Sequence, residues 1–192
     1  GMYFLSGCLV SLGTPLVCKV EPKTWIIEGG GGLVISGFHE TWGWGGYAYV
    51  GRGLGEHFEI GILPYGYILA DYNYAGALFV PVKWDPFAYE RPFHLIFFTG
   101  PVLYTYYFDT LESGLAWTFG TGFSYFTGNV WDLYGSASVL VYEEVLGYPP
   151  LTMELGLRFH ITDRFTLGVN TFINNYIGAG LGVTVGTVLG EQ

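Results

Sequence analysis

An all-β chain closed into an antiparallel up-and-down barrel is the fold these 192 residues predict, and three observations carry the prediction. The first is alternation. In TMELGLRFHITDRFTLGVN (152–170), Met153, Leu155, Leu157, Phe159 and Ile161 hold one face, and Thr152, Glu154, Gly156, Arg158 and His160 hold the other. A period of two is the period of a strand. The second is spacing: turn signals recur about every 12–16 residues, with no amphipathic helix between them. The third is composition, 51% hydrophobic and 19% aromatic but only 12% charged. A soluble domain carries about 25% charged residues, and a chain of this length has too little interior to hide so large an apolar excess.

Ten strands are read, with eight as the alternative count. The first, 24–37, contains Gly29–Gly32 (IIEGGGGLV). Without a GK[ST] motif or a following helix these glycines are no phosphate loop; they let the wall bend or a bulky neighbour cross the interior. The second, 41–52, ends at Gly53-Leu54-Gly55, and the third, 57–69, at Asp71-Tyr72-Asn73, turn residues that suit tight backbone geometry. The fourth, 72–84, leads into the longer connection DPFAYERP (85–92), and the fifth spans 93–107. The sixth, 114–126, sets Leu115, Trp117, Phe119, Phe123 and Tyr125 against Gly114, Ala116, Thr118, Gly120, Gly122 and Ser124, then turns at Thr127-Gly128-Asn129. The seventh, 130–142, opposes Leu133, Ala137, Val139 and Val141 to Asp132, Ser136 and Ser138, and EEVLGYPP (143–150) follows. The eighth and ninth, 151–161 and 165–173, are joined by Thr162-Asp163-Arg164. After Asn174-Asn175 the tenth, 176–188, opposes Ile177, Ala179, Leu181, Val183 and Val185 to Gly178, Gly180, Gly182, Thr184 and Gly186. Pro64, Pro81 and Pro101 fall inside strands and each removes a ladder donor, so each should mark a bulge or a strand end.

Which face meets water follows from the minority face. It is small, rich in glycine and lightly charged. The outer surface of a soluble barrel would carry many Lys, Glu, Asp and Arg, whereas the wall of a narrow lumen suits small residues and a few polar groups. The apolar face therefore looks outward, to lipid, with Leu155, Leu157, Phe159, Leu181 and Val183 among its members. The segments exceed the usual strand length of about 5–6 residues and suit tilted spans of about 9–11. Trp25, Trp42, Trp44, Trp84 and Trp131 lie near strand ends, where interfacial belts form. The lumen would hold Glu28, Glu59, Lys83, His94, Asp132, Glu154, Arg158, His160 and Asn170. Glu154 and Arg158 are about 13 Å apart along one strand. They should therefore pair with neighbours: Glu154 with the seventh or ninth strand, Arg158 across the lumen with Glu28 or Glu59.

With these features the chain resembles the small outer-membrane β-barrels of Gram-negative-type envelopes, the eight-stranded OmpA-like proteins and their ten-stranded relatives. The resemblance covers residues 24–189 and rests on architecture and on strand–turn–strand stretches such as LGLRFHITDRFTLGV and GEHFEIGILPYGY. The chain departs from the group in closing on VTVGTVLGEQ, without a terminal Phe or Tyr. The resemblance implies a porin-like cell-envelope protein in the bacterial outer membrane, with a lumen filled by Arg/Lys–Glu pairs. An even number of strands would place both termini in the periplasm. Such barrels also include proteases and lipid A–modifying enzymes.

Residues 1–23 are read as an N-terminal apolar segment: a signal-peptide remnant, a lipidated tail or a partner-binding tail. Within it, LSGC (5–8) is lipobox-like, and Cys8 and Cys18 are candidates for lipidation or a disulfide. The barrel takes 24–192. Seven Lys+Arg against sixteen Asp+Glu give a net charge of −9, which excludes a phosphate-neutralising nucleic-acid surface. Four scattered His make no metal site, and no cofactor motif is present. Candidate catalytic groups are His39-Glu40, His57 with Glu59, His94, His160 and Ser113, but no GxSxG, HExxH or CxxC motif accompanies them. The expected function is thus non-enzymatic: a structural or partner-anchoring envelope barrel, with contacts through the N-terminal segment or the 143–150 loop. A small gated pore and a barrel-embedded lipid- or peptide-modifying enzyme are the alternatives.

Overall fold

A computed structural model describes residues 22–36, 41–70, 73–87, 91–108, 110–127, 130–142, 150–175 and 178–190. Eleven strands form one antiparallel sheet: β1 (Trp25–Ser36), β2 (Thr41–Gly53), β3 (Phe58–Leu69), β4 (Tyr74–Phe79), β5 (Val82–Trp84), β6 (Phe93–Phe108), β7 (Thr110–Phe126), β8 (Trp131–Tyr142), β9 (Leu151–His160), β10 (Phe165–Asn174) and β11 (Gly178–Leu189). β1 pairs with β2 on one side and with β11 on the other, from Trp25 opposite Leu189 to Ser36 opposite Gly178. The sheet therefore closes and has no edge left to satisfy in hydrocarbon.

β4 and β5 both lie between β3 and β6, so they share one stave and the barrel has ten. The expected fourth strand is this stave, interrupted at Val80-Pro81. Pro81 has no N–H to donate. Its carbonyl still accepts from the Gly61 N–H at 3.0 Å, and the Val80 N–H reaches the Pro101 carbonyl at 3.1 Å. Gly100 makes the interruption fit, because a Cβ there would overlap the Val80 carbonyl oxygen. Pro64 and Pro101 stay inside unbroken strands. The β6–β7 hairpin is longer than expected, with pairing that continues to Phe108 opposite Thr110. The strand bounds 93–107 and 114–126 leave 108–113 as a connection, yet Thr110 to Ser113 continue the ladder opposite Phe108 to Thr105, and the Thr105 hydroxyl donates to the Glu112 carbonyl at 3.2 Å.

The register fixes the shape. Paired residues can be followed once round the wall from Gly53 through Glu59, Lys83, Phe98, Gly120, Ser138, Thr152, Asn174, Gly178 and Ser36. The circuit returns to β2 at Thr41, a stagger of about 12 residues. At about 3.3 Å per residue and about 4.8 Å between ten staves, this tilts the strands by about 40° and sets a backbone radius of about 10 Å. A strand of about 40 Å then rises about 30 Å, the thickness of a bilayer's hydrocarbon core. The outer wall matches that solvent: Ile35, Ile62, Leu115, Met153, Leu155, Leu181 and Val183 are all exposed on it. The chain is a transmembrane β-barrel.

Candidate functional site

The lumen has two layers. One lies at the end of the barrel where β1 begins and β11 ends, here the termini end. Glu28 is the fourth residue of β1, Glu59 the second of β3, Lys83 the centre of β5, His94 the second of β6 and Asp132 the second of β8. Arg158 and His160 close β9 at the same end, and Asp85 follows β5. Period-two alternation turns all of them inward, so the charged side chains form one slab rather than a column through the lumen.

Within the slab the acids have partners. Lys83 Nζ lies 2.7 Å from Glu59 Oε1, and both side chains are fully buried. The Tyr49 hydroxyl donates to the same oxygen, and the Lys83 ammonium stands 5.8 Å over the Tyr49 ring. Arg158 Nη2 lies 3.3 Å from Glu28 Oε2, while the Tyr47 hydroxyl donates to Glu28 Oε1 at 2.5 Å. The Arg158 guanidinium also covers the Tyr134 ring at 5.8 Å. His94 Nδ1 is 2.6 Å from Asp85 Oδ2 and its Nε2 is 2.8 Å from the Arg91 carbonyl. His160 Nε2 is 2.7 Å from Asp132 Oδ2. The Phe126 ring lies between the two imidazoles, with centroids 5.6 Å from His94 and 6.5 Å from His160. Higher in the barrel the Asn170 amide donates to Glu154 Oε1 at 2.6 Å. Buried charge of this kind is tolerable only when so paired and hydrogen-bonded.

The second layer fills the rest. Val34, Val102 and Leu140 have no exposed surface, and Phe79 and Phe172 are 1% exposed. Tyr65, Tyr67, Leu69, Ala75, Tyr106 and Ala116 continue this apolar core toward the other end. The glycine-rich face explains how it fits. A Cβ at Gly156 would overlap the Tyr134 ring and hydroxyl, and one at Gly120 would overlap the Phe98 ring. Each glycine leaves a recess in which an aromatic from the next strand lies flat.

Of the sequence-derived lumen residues, the structure buries Glu28, Glu59, Lys83, His94, Asp132, Glu154, Arg158 and Asn170, and His160 partly. Leu155, Leu157, Phe159, Leu181 and Val183 point outward. So do the five tryptophans expected in the belts, Trp25, Trp84 and Trp131 at the termini end and Trp42 and Trp44 at the other, and the sixth, Trp117, faces outward between them. Among the catalytic candidates, Ser113 lies on the outer face, and His57 Nδ1 is 2.7 Å from the Asp85 carbonyl oxygen. Ser124 stands opposite His94 in the ladder, but both are buried, so no substrate reaches the pair. Cys8, Cys18, His39, Glu40 and residues 143–149 lie outside the described residues, as does residues 1–21 of the N-terminal segment. Among the described residues no group of three or more His, Cys, Asp or Glu could hold a metal ion.

Sequence reasoning missed Asp85 and the inward tyrosines 47, 49 and 134. Asp85 had a signal: it is two residues beyond Lys83, hence on the same face, but Pro86 marked it as loop. The tyrosines share faces with glycines, a clue that becomes readable only with the register.

Fold and lumen together define the class, a transmembrane β-barrel with a filled interior. No protein-family model and no curated protein matches the chain in sequence. Among solved structures it is similar to the outer membrane protease OmpT from Escherichia coli, at 10% identity over 92% of this chain and 99% of that one, with a TM-score of 0.51. It is also similar to the outer membrane protein OprG from Pseudomonas aeruginosa, at 8% identity over 91% of this chain and 100% of that one, with a TM-score of 0.50. At these identities the likeness is one of fold.

Proposed function

We propose that this chain is an outer-membrane barrel with a sealed lumen, serving as a structural or partner-anchoring protein of the envelope, with both termini periplasmic. The observation that carries the reading is the lumen itself: Glu59, Lys83 and His94 at one level, and Val34, Val102 and Leu140 above them, have no exposed surface. A barrel built to pass solute keeps a wet path between such layers. The N-terminal segment 1–23 and the 143–150 loop are the contacts assigned to a partner.

Planar-bilayer recording tests the seal. Purified barrel that folds, shown by heat-modifiable migration, and leaves conductance at baseline supports the reading; discrete steps from wild-type protein overturn it in favour of a small gated pore. Unchanged lipid A and uncleaved peptide after expression, with a silent His57→Ala variant, are expected of a non-enzymatic barrel. A chain monodisperse in buffer without detergent would overturn the membrane reading altogether.

A further inference from the structure

The six described basic residues, Lys23, Arg52, Lys83, Arg91, Arg158 and Arg164, all lie at the termini end. Lys83 and Arg158 are used inside the lumen. The other four are exposed, and three of them share one arc of the rim. Trp25 pairs with Leu189 on one side and with Arg52 on the other. Arg164 is held beside the end of β11, its carbonyl accepting from the Val188 N–H at 3.0 Å. Lys23 lies two residues before Trp25. Arg52 alternates with inward neighbours and so stands on the lipid-facing wall, its guanidinium 5.1 Å over the Trp25 ring. Among the described residues no carboxylate forms an ion pair with any of the three. The exposed carboxylates near the arc are Glu56 and Asp163, in adjoining turns, while Glu28 and Asp132 are engaged within the lumen.

Lys23 has φ 59, a left-handed conformation that favours glycine. The turn therefore carries a side chain at a position where glycine would be less strained. Directly beneath the three cations the wall is apolar: Trp25, Phe165 and Leu189 are exposed at the rim, and Ile27, Leu167 and Val185 continue below them. We infer that this arc binds the headgroup of an anionic diacyl phospholipid in the leaflet at the termini end. The phosphate would meet Lys23, Arg52 and Arg164, and the acyl chains would lie along the wall. Cations at an aromatic belt above bare hydrocarbon-facing side chains match a ligand with charge at one end and chains at the other, which neither a peptide nor a nucleic acid supplies. The inference rests on the membrane-spanning reading above.

The test uses the full chain folded into bilayers of phosphatidylcholine, with or without a minority of phosphatidylglycerol. Quenching of Trp25 by brominated lipid, taken as the difference from a Trp25→Phe variant, should show brominated phosphatidylglycerol enriched at the arc. Each cation removed, as Lys23→Gln, Arg52→Gln or Arg164→Gln, should lower that enrichment about 5-fold, and about 1 M salt should abolish it. Arg52→Lys should keep most of it. Equal quenching by both lipids overturns the inference, as does an enrichment that survives the triple variant. Failure to fold in phosphatidylcholine alone would sink the barrel reading first, so the two failures are distinguishable.

Discussion

Lys83→Met leaves a full-length side chain in β5 but removes the ammonium 2.7 Å from Glu59. At an effective dielectric constant of about 20, that separation corresponds to about 6 kcal/mol of gross attraction, most of it offset in the native protein by desolvation of the two ions. After the substitution the offset is gone, because Glu59 remains fully buried with only the Tyr49 hydroxyl on Oε1. Its Oε2 makes no hydrogen bond among the described residues even in the native barrel. Stranding one member of such a pair costs about 3–5 kcal/mol. Glu59→Gln alone strands the Lys83 ammonium at a similar cost of about 3–5 kcal/mol, whereas the double variant, with no stranded charge, should lose only about 1–2 kcal/mol, giving a coupling of about 4–9 kcal/mol between the sites. Urea unfolding in lipid vesicles, read by tryptophan fluorescence and by heat-modifiable migration, measures all four corners of the cycle. Additive losses, or a Lys83→Met barrel within about 1 kcal/mol of wild type, would refute the buried pair.

Three further outcomes use the same assay. Gly156→Ala should cost about 1–3 kcal/mol by forcing the Tyr134 ring out of its recess, and Tyr134→Leu in the same chain should recover part of that loss; a neutral Gly156→Ala would contradict the packing. Val183→Arg, on the outer wall at the middle of β11, should cost about 2–4 kcal/mol, whereas Trp25→Arg at the rim should cost about 0–1 kcal/mol beyond the lost aromatic. Equal penalties at both positions would mean the wall does not face a bilayer. Asn170→Leu leaves Glu154 Oε1 without its 2.6 Å donor and should cost about 1–3 kcal/mol, while Asn170→Asp, adding a second charge beside the first, should cost more.

The wall was legible because period-two alternation is local. Met153 to Ile161 and Leu181 to Val185 show their face without knowledge of any neighbour, and the count of ten follows from turns such as Thr162-Asp163-Arg164. Facing alone also narrowed the reach of Arg158, which lies beside Glu28, and of Glu154, which lies beside Asn170. The break in the fourth stave was visible as Pro81, but its accommodation required Gly100 on another strand. What alternation cannot carry is register. Tyr134 and Gly156 are 22 positions apart in the chain and become a ring in a recess only when β8 and β9 pair them directly. The gathering of the buried charges other than Glu154 at one end was likewise hidden, because Glu28 and Asp132 occur early in upward strands and Arg158 late in a downward one.

The two layers act as seals in series, and that leads to a last expectation. An ion crossing the lumen must displace paired charges near Lys83 and Arg158, then pass the packed side chains of Phe79, Val102, Leu140 and Phe172, where the one buried carboxylate among the described residues at that level, Glu154, is already engaged by Asn170. Breaking one seal should not open the barrel. Phe172→Ala should cost about 3–5 kcal/mol, but an apolar cavity of about 150 Å³ stays dry, so conductance should remain at baseline. Lys83→Ala with Glu59→Ala should admit water only as far as the aromatic layer and should likewise be silent. Conductance is expected only when both layers are cut, in a Glu59→Ala/Lys83→Ala/Phe98→Ala/Phe172→Ala chain that still shows heat-modifiable migration. Steps from either single-layer variant would show that its partner layer seals nothing, and silence from a folded four-site variant would place the barrier elsewhere in the lumen.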